Sequence, residues 1–322
     1  MSIRERWLPT LLAGTFVVAM CAVADATGCM ELLFPEMAAI LLGAWMQPRQ
    51  AWNVSRPRMV ALMGAGAVFG LCLNLLLPAP IWARALVAYA FCAIAMNVAG
   101  ADMSPMVSAT ILPVLLSTTS WLYPAAVIAM VSAVAIGQCV MEDKGLREPT
   151  GFRPLRDPLL PTATSWGRRL LVVAALSAPA YLTGEVLFAV PPLLVAFTEL
   201  TRPDYTLRLR PWRGVAVLAC AAVIGDACRV AVELAGLPLA AAAALAFAGL
   251  LVVWNAFETW LPPAGAVALL ALLVPWSGPG VFAVEVSVGA LVWVSAAVLL
   301  FPGIRPRRRA NDVDGGQPDP LP

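Results

Sequence analysis

In a chain that is 61% hydrophobic, the side chains able to do chemistry are few and their positions are informative. Glu36 follows Pro35 inside an apolar run, where an ionised carboxylate costs on the order of several kcal/mol unless it is protonated, paired or wetted. Two readings stay open: a proton-coupling or gating group, or a carboxylate close enough to the outer interface for water to reach it. Asp226, Arg229 and Glu233 lie at i, i+3 and i+7 of another apolar run, a spacing that puts all three on one helix face. An Asp226–Arg229 pair would satisfy both charges and serve helix packing; alternatively Arg229 would hold an anion while Asp226 sets its position. Ser104-Pro105 has the form of an N-cap followed by proline at the first helical position, and Thr259 with Pro262 and Pro263 marks a similar start. A helix beginning at membrane depth turns free amides and a partial positive charge toward its pocket, which favours an anion. Ser108 would then project along the first of these helices. The plainer alternative is that the prolines open short helices at the cytoplasmic interface. Asn97 and Asn255 could bond between packed helices.

Other chemistries find little footing. The chain has no histidine, which removes the commonest metal ligand and the commonest general base near neutral pH. No GxxxxGK[ST] phosphate loop is present. The seven cysteines show no paired spacing and read as small hydrophobes. All twelve methionines fall at or before Met141 but are dispersed, which suits packing better than a soft-metal path. No nucleophile–base set or carboxylate pair is evident, so the chain is expected not to be an enzyme, and no cofactor is implied.

The elements that must position these residues are membrane helices. With 61% hydrophobic and 12% charged residues, the chain has too little polar surface for a soluble fold of 322 residues. Apolar runs predict twelve spans, near 8–25, 32–46, 59–78, 81–99, 103–118, 121–140, 170–184, 186–200, 214–233, 237–256, 262–276 and 280–301. Of the 21 basic residues, all but Arg84 and Arg229 fall in the terminal and connecting segments that lie on the inner side when the N-terminus is cytoplasmic. That bias predicts both termini in the cytoplasm, with 103–118 and 262–276 crossing in full despite their shortness. Arg4, Arg6 and the Ala22-Val23-Ala24 stretch resemble a signal peptide. Arg168-Arg169 precedes a matching apolar run where no cleavage can occur, so the first span is expected to be retained.

Matching runs recur along the chain. Asn97 and Asn255 each stand eight residues before a proline, Pro105 and Pro263, and Gly70 matches Gly225. Phe34-Pro35 and Arg56-Pro57-Arg58 have counterparts near Phe188 and Arg210-Pro211-Trp212. The sequence therefore predicts an all-α polytopic protein of two parallel six-helix repeats, 1–140 and 168–302. They are joined by a proline-bearing linker at 141–167 and followed by a disordered tail at 303–322. The basic cluster Arg305 to Arg309 fits anionic lipid better than nucleic acid.

Pro262-Pro263-Ala264-Gly265-Ala266, with Thr259 upstream, resembles the signature of the HPP family of integral membrane proteins, in which a histidine opens the motif; Leu261 stands there in this chain. That resemblance implies transport of small anions. A second, to the fusaric-acid-resistance or aromatic-acid exporter group, rests on the arginine-bearing loop after the second span and lacks that group's large soluble domain. Together the readings point to a multi-pass protein of the cell membrane, a secondary transporter or channel for a small solute, preferably an anion. Glu36, Asp226 and Arg229 would supply its charges, and Asn97, Ser104, Ser108, Asn255 and Thr259 a polar lining. The expected partners are lipid and a small-molecule or ion substrate, with self-association open. The rival is a non-transporting membrane scaffold in which these groups only hold helices together.

Overall fold

A computed structural model describes residues 3–47, 49–155, 159–202 and 205–301, with the side chains of 3–6 and 159–162 left aside. The tail, its basic cluster and Arg156 lie outside the described residues. Every described element is helical: α1 (Ile3–Thr27), α2 (Glu36–Leu41, continued by a π turn over Leu42–Met46), α3 (Arg56–Leu76), α4 (Ile81–Ala99), α5 (Pro105–Leu115), α6 (Leu122–Asp143), α7 (Leu159–Thr183), α8 (Pro191–Leu200), α9 (Pro211–Ala235), α10 (Leu239–Ala256), α11 (Pro262–Leu270) and α12 (Val281–Leu300). Each predicted apolar run contains one helix.

Apart from the 25-residue α7, the helices fall into two kinds. Seven of them, α1, α3, α4, α6, α9, α10 and α12, are long and apolar enough to cross a membrane. They bury one face and leave Leu76, Val98, Val252 and Leu299 exposed on the other, the pattern that lipid permits and water does not. The molecule is an integral membrane protein. In contrast, α5 has 11 residues, α8 has 10 and α11 has 9, and the α-helical part of α2 has 6. At about 1.5 Å per residue, none of the four covers the roughly 30 Å of a bilayer's hydrocarbon. The runs at 103–118 and 262–276 were expected to cross as full spans; their helices stop well short. Prolines fix three of the four starts, Pro105, Pro191 and Pro262 each standing in the first turn.

The short helices are wrapped by the long ones. Every residue of α2, α8 and α11 is buried, as is α5 from Pro105 to Val114. Within the first half α3 packs on α4, α5 and α6; within the second, α9 packs on α10, α11 and α12. Between halves the contacts are reciprocal: α1 lies on α10 and α7 on α4, while α2 lies on α11 and α5 on α8. The centre is thus a cluster of four short helices, two from each half.

Close approach at that centre depends on glycine. A Cβ added at Gly70 would lie 2.1 Å from the Thr110 carbonyl oxygen of α5, and one at Gly225 would lie 2.5 Å from the Ala268 carbonyl oxygen of α11. Neither backbone can yield without moving its helix. Gly70→Ala and Gly225→Ala should each cost about 1–3 kcal/mol, read as a lower Tm in detergent. Gly167→Ala, exposed in α7 with open space around it, should be neutral or slightly stabilising. Equal Tm values for all three would remove the close-packing account.

Candidate functional site

A short helix sealed inside the protein leaves carbonyls at its C-terminus that neither helix nor water satisfies. Each of the four receives a side chain from another element. Arg147, in the segment after α6, donates to the Ala44 carbonyl at the end of α2. Asn74 of α3 donates to Pro113 O at 2.6 Å and Thr118 O at 2.7 Å at the end of α5. Arg208 donates to Leu200 O, the last residue of α8. Arg229 of α9 donates to Leu272 O at 2.7 Å, just past α11. Arg84 orients the Asn74 amide from α4, Nη1 to Oδ1, at 2.7 Å. Arg84 and Arg229, the two basic residues outside the arginine-rich segments, therefore serve the same purpose in the two halves.

Asp226 and Arg229 take different partners. Arg229 pairs with Glu233 at 2.8 Å in addition to its carbonyl, and Asp226 accepts the Gly280 amide at 2.8 Å before α12. Both border a cleft of only about 10 Å³, room for one water. The predicted Asp226–Arg229 pair is replaced by two separate helix-end bonds, because the neighbouring helices offer each group a nearer backbone partner. Asn97 and Asn255, expected to bond between helices, each donate to a carbonyl of their own helix, Ala93 O at 2.7 Å and Leu251 O at 2.6 Å, from exposed positions on α4 and α10.

Glu36 is different. It opens α2 with 0% of its surface exposed, and neither carboxyl oxygen has a hydrogen-bond partner. Ser108 faces it from α5 without closing a hydrogen bond, and Glu199 and Tyr123 are the charged and polar groups that feel it from α8 and α6. The interfacial water that would have explained it does not reach it. Ser108 is itself buried.

Glu199, near the end of α8, is buried at 1% exposure. Its oxygens accept the Trp52 indole N–H at 2.7 Å and the Tyr205 hydroxyl at 3.2 Å. Burial and the adjacent Glu199 charge hold the Tyr205 phenol well above the ordinary tyrosine range, so it stays a donor. Arg202 reaches across to the α4–α5 connection, pairing with Asp102 at 2.5 Å and donating to the Ser104 hydroxyl. A cavity of about 370 Å³ lies between the halves, lined among others by Gln47, Glu199, Tyr205, Arg210, Arg213 and Thr259. Thr259 alone of the predicted polar lining borders it. Ser104 is sealed beneath Arg202, and Glu36 lies apart from the cavity, deeper among the short helices.

The chain matches no family model, no curated protein and no solved structure. The Pro262-Pro263-Ala264-Gly265-Ala266 stretch opens α11 and meets α2, where a Cβ on Gly265 would come within 3.0 Å of Ala38. Sequence reasoning missed Arg147, Arg208 and Asn74, reading the arginines only as signals of orientation. Their one hint was that each lies within a few residues of a helix end.

If Asp226 is a helix-end bond and nothing more, Asp226→Ala should lower stability by about 1–3 kcal/mol. An unchanged Tm in detergent would remove the helix-end account of Asp226.

Proposed function

We propose that the protein is a secondary transporter or channel for a small solute, preferentially an anion, built as two co-oriented six-helix repeats with both termini cytoplasmic. The observation that carries this reading is Glu36: a carboxyl that closes no hydrogen bond, with only the Ser108 hydroxyl turned toward it, sealed at the crossing of four short helices from both halves. A protein built only to hold helices together gains nothing from such a group, since an unpartnered buried carboxyl destabilises where an apolar residue would pack. A transporter gains a group whose charge changes when a proton or solute arrives. Ser108 and Glu199, the groups facing Glu36, would shift with it when the short helices part.

Duplication supports the same reading. The order of long and short helices over 3–143 recurs over 159–300, and the contacts between halves are reciprocal. Transporters of repeated architecture place their sites at the repeat interface, where irregular or broken helices line the path. Contacts such as Arg56–Glu142 at 2.9 Å, Arg202–Asp102 at 2.5 Å and Asn53–Arg153 at 2.7 Å gather the arginine-bearing connections at one end of the bundle. The excess of arginine at that end supports the cytoplasmic orientation proposed for it. The anion preference rests on Arg210 and Arg213 at the mouth of the cavity.

Glu36→Gln is nearly isosteric and removes the titration. Reconstituted Glu36→Gln protein should keep or raise its Tm and lose pH-dependent flux of small anions under an imposed pH gradient. A variant with an unchanged flux–pH profile would take Glu36 out of the mechanism. Wild-type protein that moves no anion, under a pH gradient or an imposed voltage, would favour the scaffold.

A further inference from the structure

The two halves bring different residues to corresponding places on the arginine-rich end. Gln47 and Arg202 are 155 positions apart, as are Gly70 and Gly225. Gln47 Nε2 donates weakly to the Trp260 carbonyl at 3.3 Å, whereas Arg202 grips Asp102 and Ser104. Beside Arg202 the crevice is filled. The segment after α6 covers it, with Leu155 N–H on Gly100 O at 2.8 Å and Arg153 and Asn53 exchanging hydrogen bonds at 2.7 and 3.2 Å. Ala101, which corresponds to Thr259 by the offset of 158 that relates Asn97 to Asn255, is buried at 3% exposure.

Beside Gln47 the crevice is the open cavity of about 370 Å³. Among the described residues its lining carries two arginines, Arg210 and Arg213, and two carboxylates, Glu199 and Glu258. Arg210 and Arg213 stand against Glu258, which projects into solvent at 81% exposure and lies 3.7 Å from Arg213. The Arg213 Nε is buried without a hydrogen-bond partner, while both oxygens of Glu199 already hold donors. The cavity therefore offers guanidinium donors whose facing carboxylates are either already hydrogen-bonded or turned to solvent, and its walls of Leu207, Leu209 and Trp260 lower the local dielectric and strengthen them.

We propose that this cavity is the binding vestibule for a small anion on the arginine-rich side, and that its counterpart beside Arg202 is held shut by the Arg202–Asp102–Ser104 latch. The protein then has one anion-accepting mouth where its two halves could have made two. This deepens the transport reading and rests on it for the vestibule's purpose, while the test below needs no transport.

Thiol labelling of the purified full-length chain in detergent reads both parts. Cys29→Ala, Cys72→Ala, Cys139→Ala and Cys220→Ala remove the partly exposed thiols, leaving the buried Cys21, Cys92 and Cys228. Into this background go Thr259→Cys or Ala101→Cys, and each is reacted with an anionic sulfonate and a cationic trimethylammonium methanethiosulfonate, with rates normalised to a free thiol in solution. Thr259→Cys should react with a bias of about threefold or more toward the anionic reagent, lost in high salt or on adding Arg210→Gln and Arg213→Gln. Ala101→Cys should stay unlabelled until Asp102→Asn opens the latch; Arg202→Gln replaces Asp102→Asn should the latter fail to elute as a single species. Absence of reaction or a cationic bias at 259 overturns the anion vestibule, and labelling at 101 with the latch intact overturns the asymmetry. Intact labelling behaviour with no flux would sink the transport reading and leave the site standing.

Discussion

A helix that ends inside a membrane protein must find donors for its last carbonyls, and this structure faces that demand four times at its centre. Unsatisfied backbone groups in a nonpolar interior cost on the order of several kcal/mol each, more than the whole margin by which folds are stable when a few are summed. The solution is uniform: Arg147, Asn74, Arg208 and Arg229 each bring a side-chain donor to one short helix. Glu36 is not spent on this requirement: it is fully buried, and both of its carboxyl oxygens lack a hydrogen bond.

The centre also has to be thin. Four short helices leave room at their ends for the connections, and the long helices close around them only because Gly70 and Gly225 let α3 and α9 rest directly on the carbonyls of α5 and α11. Tyr123 from α6 reinforces α5 by donating to Ala109 O at 2.8 Å, and Tyr181 of α7 donates to Ala189 O just ahead of α8, also at 2.8 Å. These bonds fix the short helices against the outer shell. Where α11 meets α2 the contact is apolar and small, Gly265 lying against Ala38, while Arg202 ties the end of α8 to the start of α5. Sliding of α11 on α2 breaks few polar interactions, whereas sliding against the shell breaks many.

The number and order of helices were legible in the sequence, because apolar runs and their separation survive any packing. Their lengths were not: hydropathy scores 103–118 and 262–276 as spans, whereas the helices there are only Pro105–Leu115 and Pro262–Leu270, and only the surrounding helices decide that they need not reach lipid. The side chains followed the same division. Spacing put Asp226, Arg229 and Glu233 on one face, and the i, i+4 pair Arg229–Glu233 followed. What spacing could not supply was the competition from Gly280 N–H and Leu272 O, which come from distant parts of the chain. Asn97 and Asn255 repeat in sequence but face outward and bond within their own helices, so recurrence marked a shared element without marking a site. Glu36 drew notice as an acid in an apolar run. Whether water reached it depended on α5, α8 and α11 closing over α2, which no local pattern encodes.

The reciprocal packing of the halves also bears on how the chain is made. α1 is complete at Thr27, yet the helix it rests on, α10, begins at Leu239, and α2 waits for α11 in the same way. At ribosomal speeds of roughly 5–20 residues per second, the first two helices remain without their partners for on the order of 10–40 s. During that interval Glu36 stands at the start of a helix too short to cross the membrane, covered by α5 and α6 but not yet by the second half. Sealing of the polar centre is thus a late event in the making of the chain.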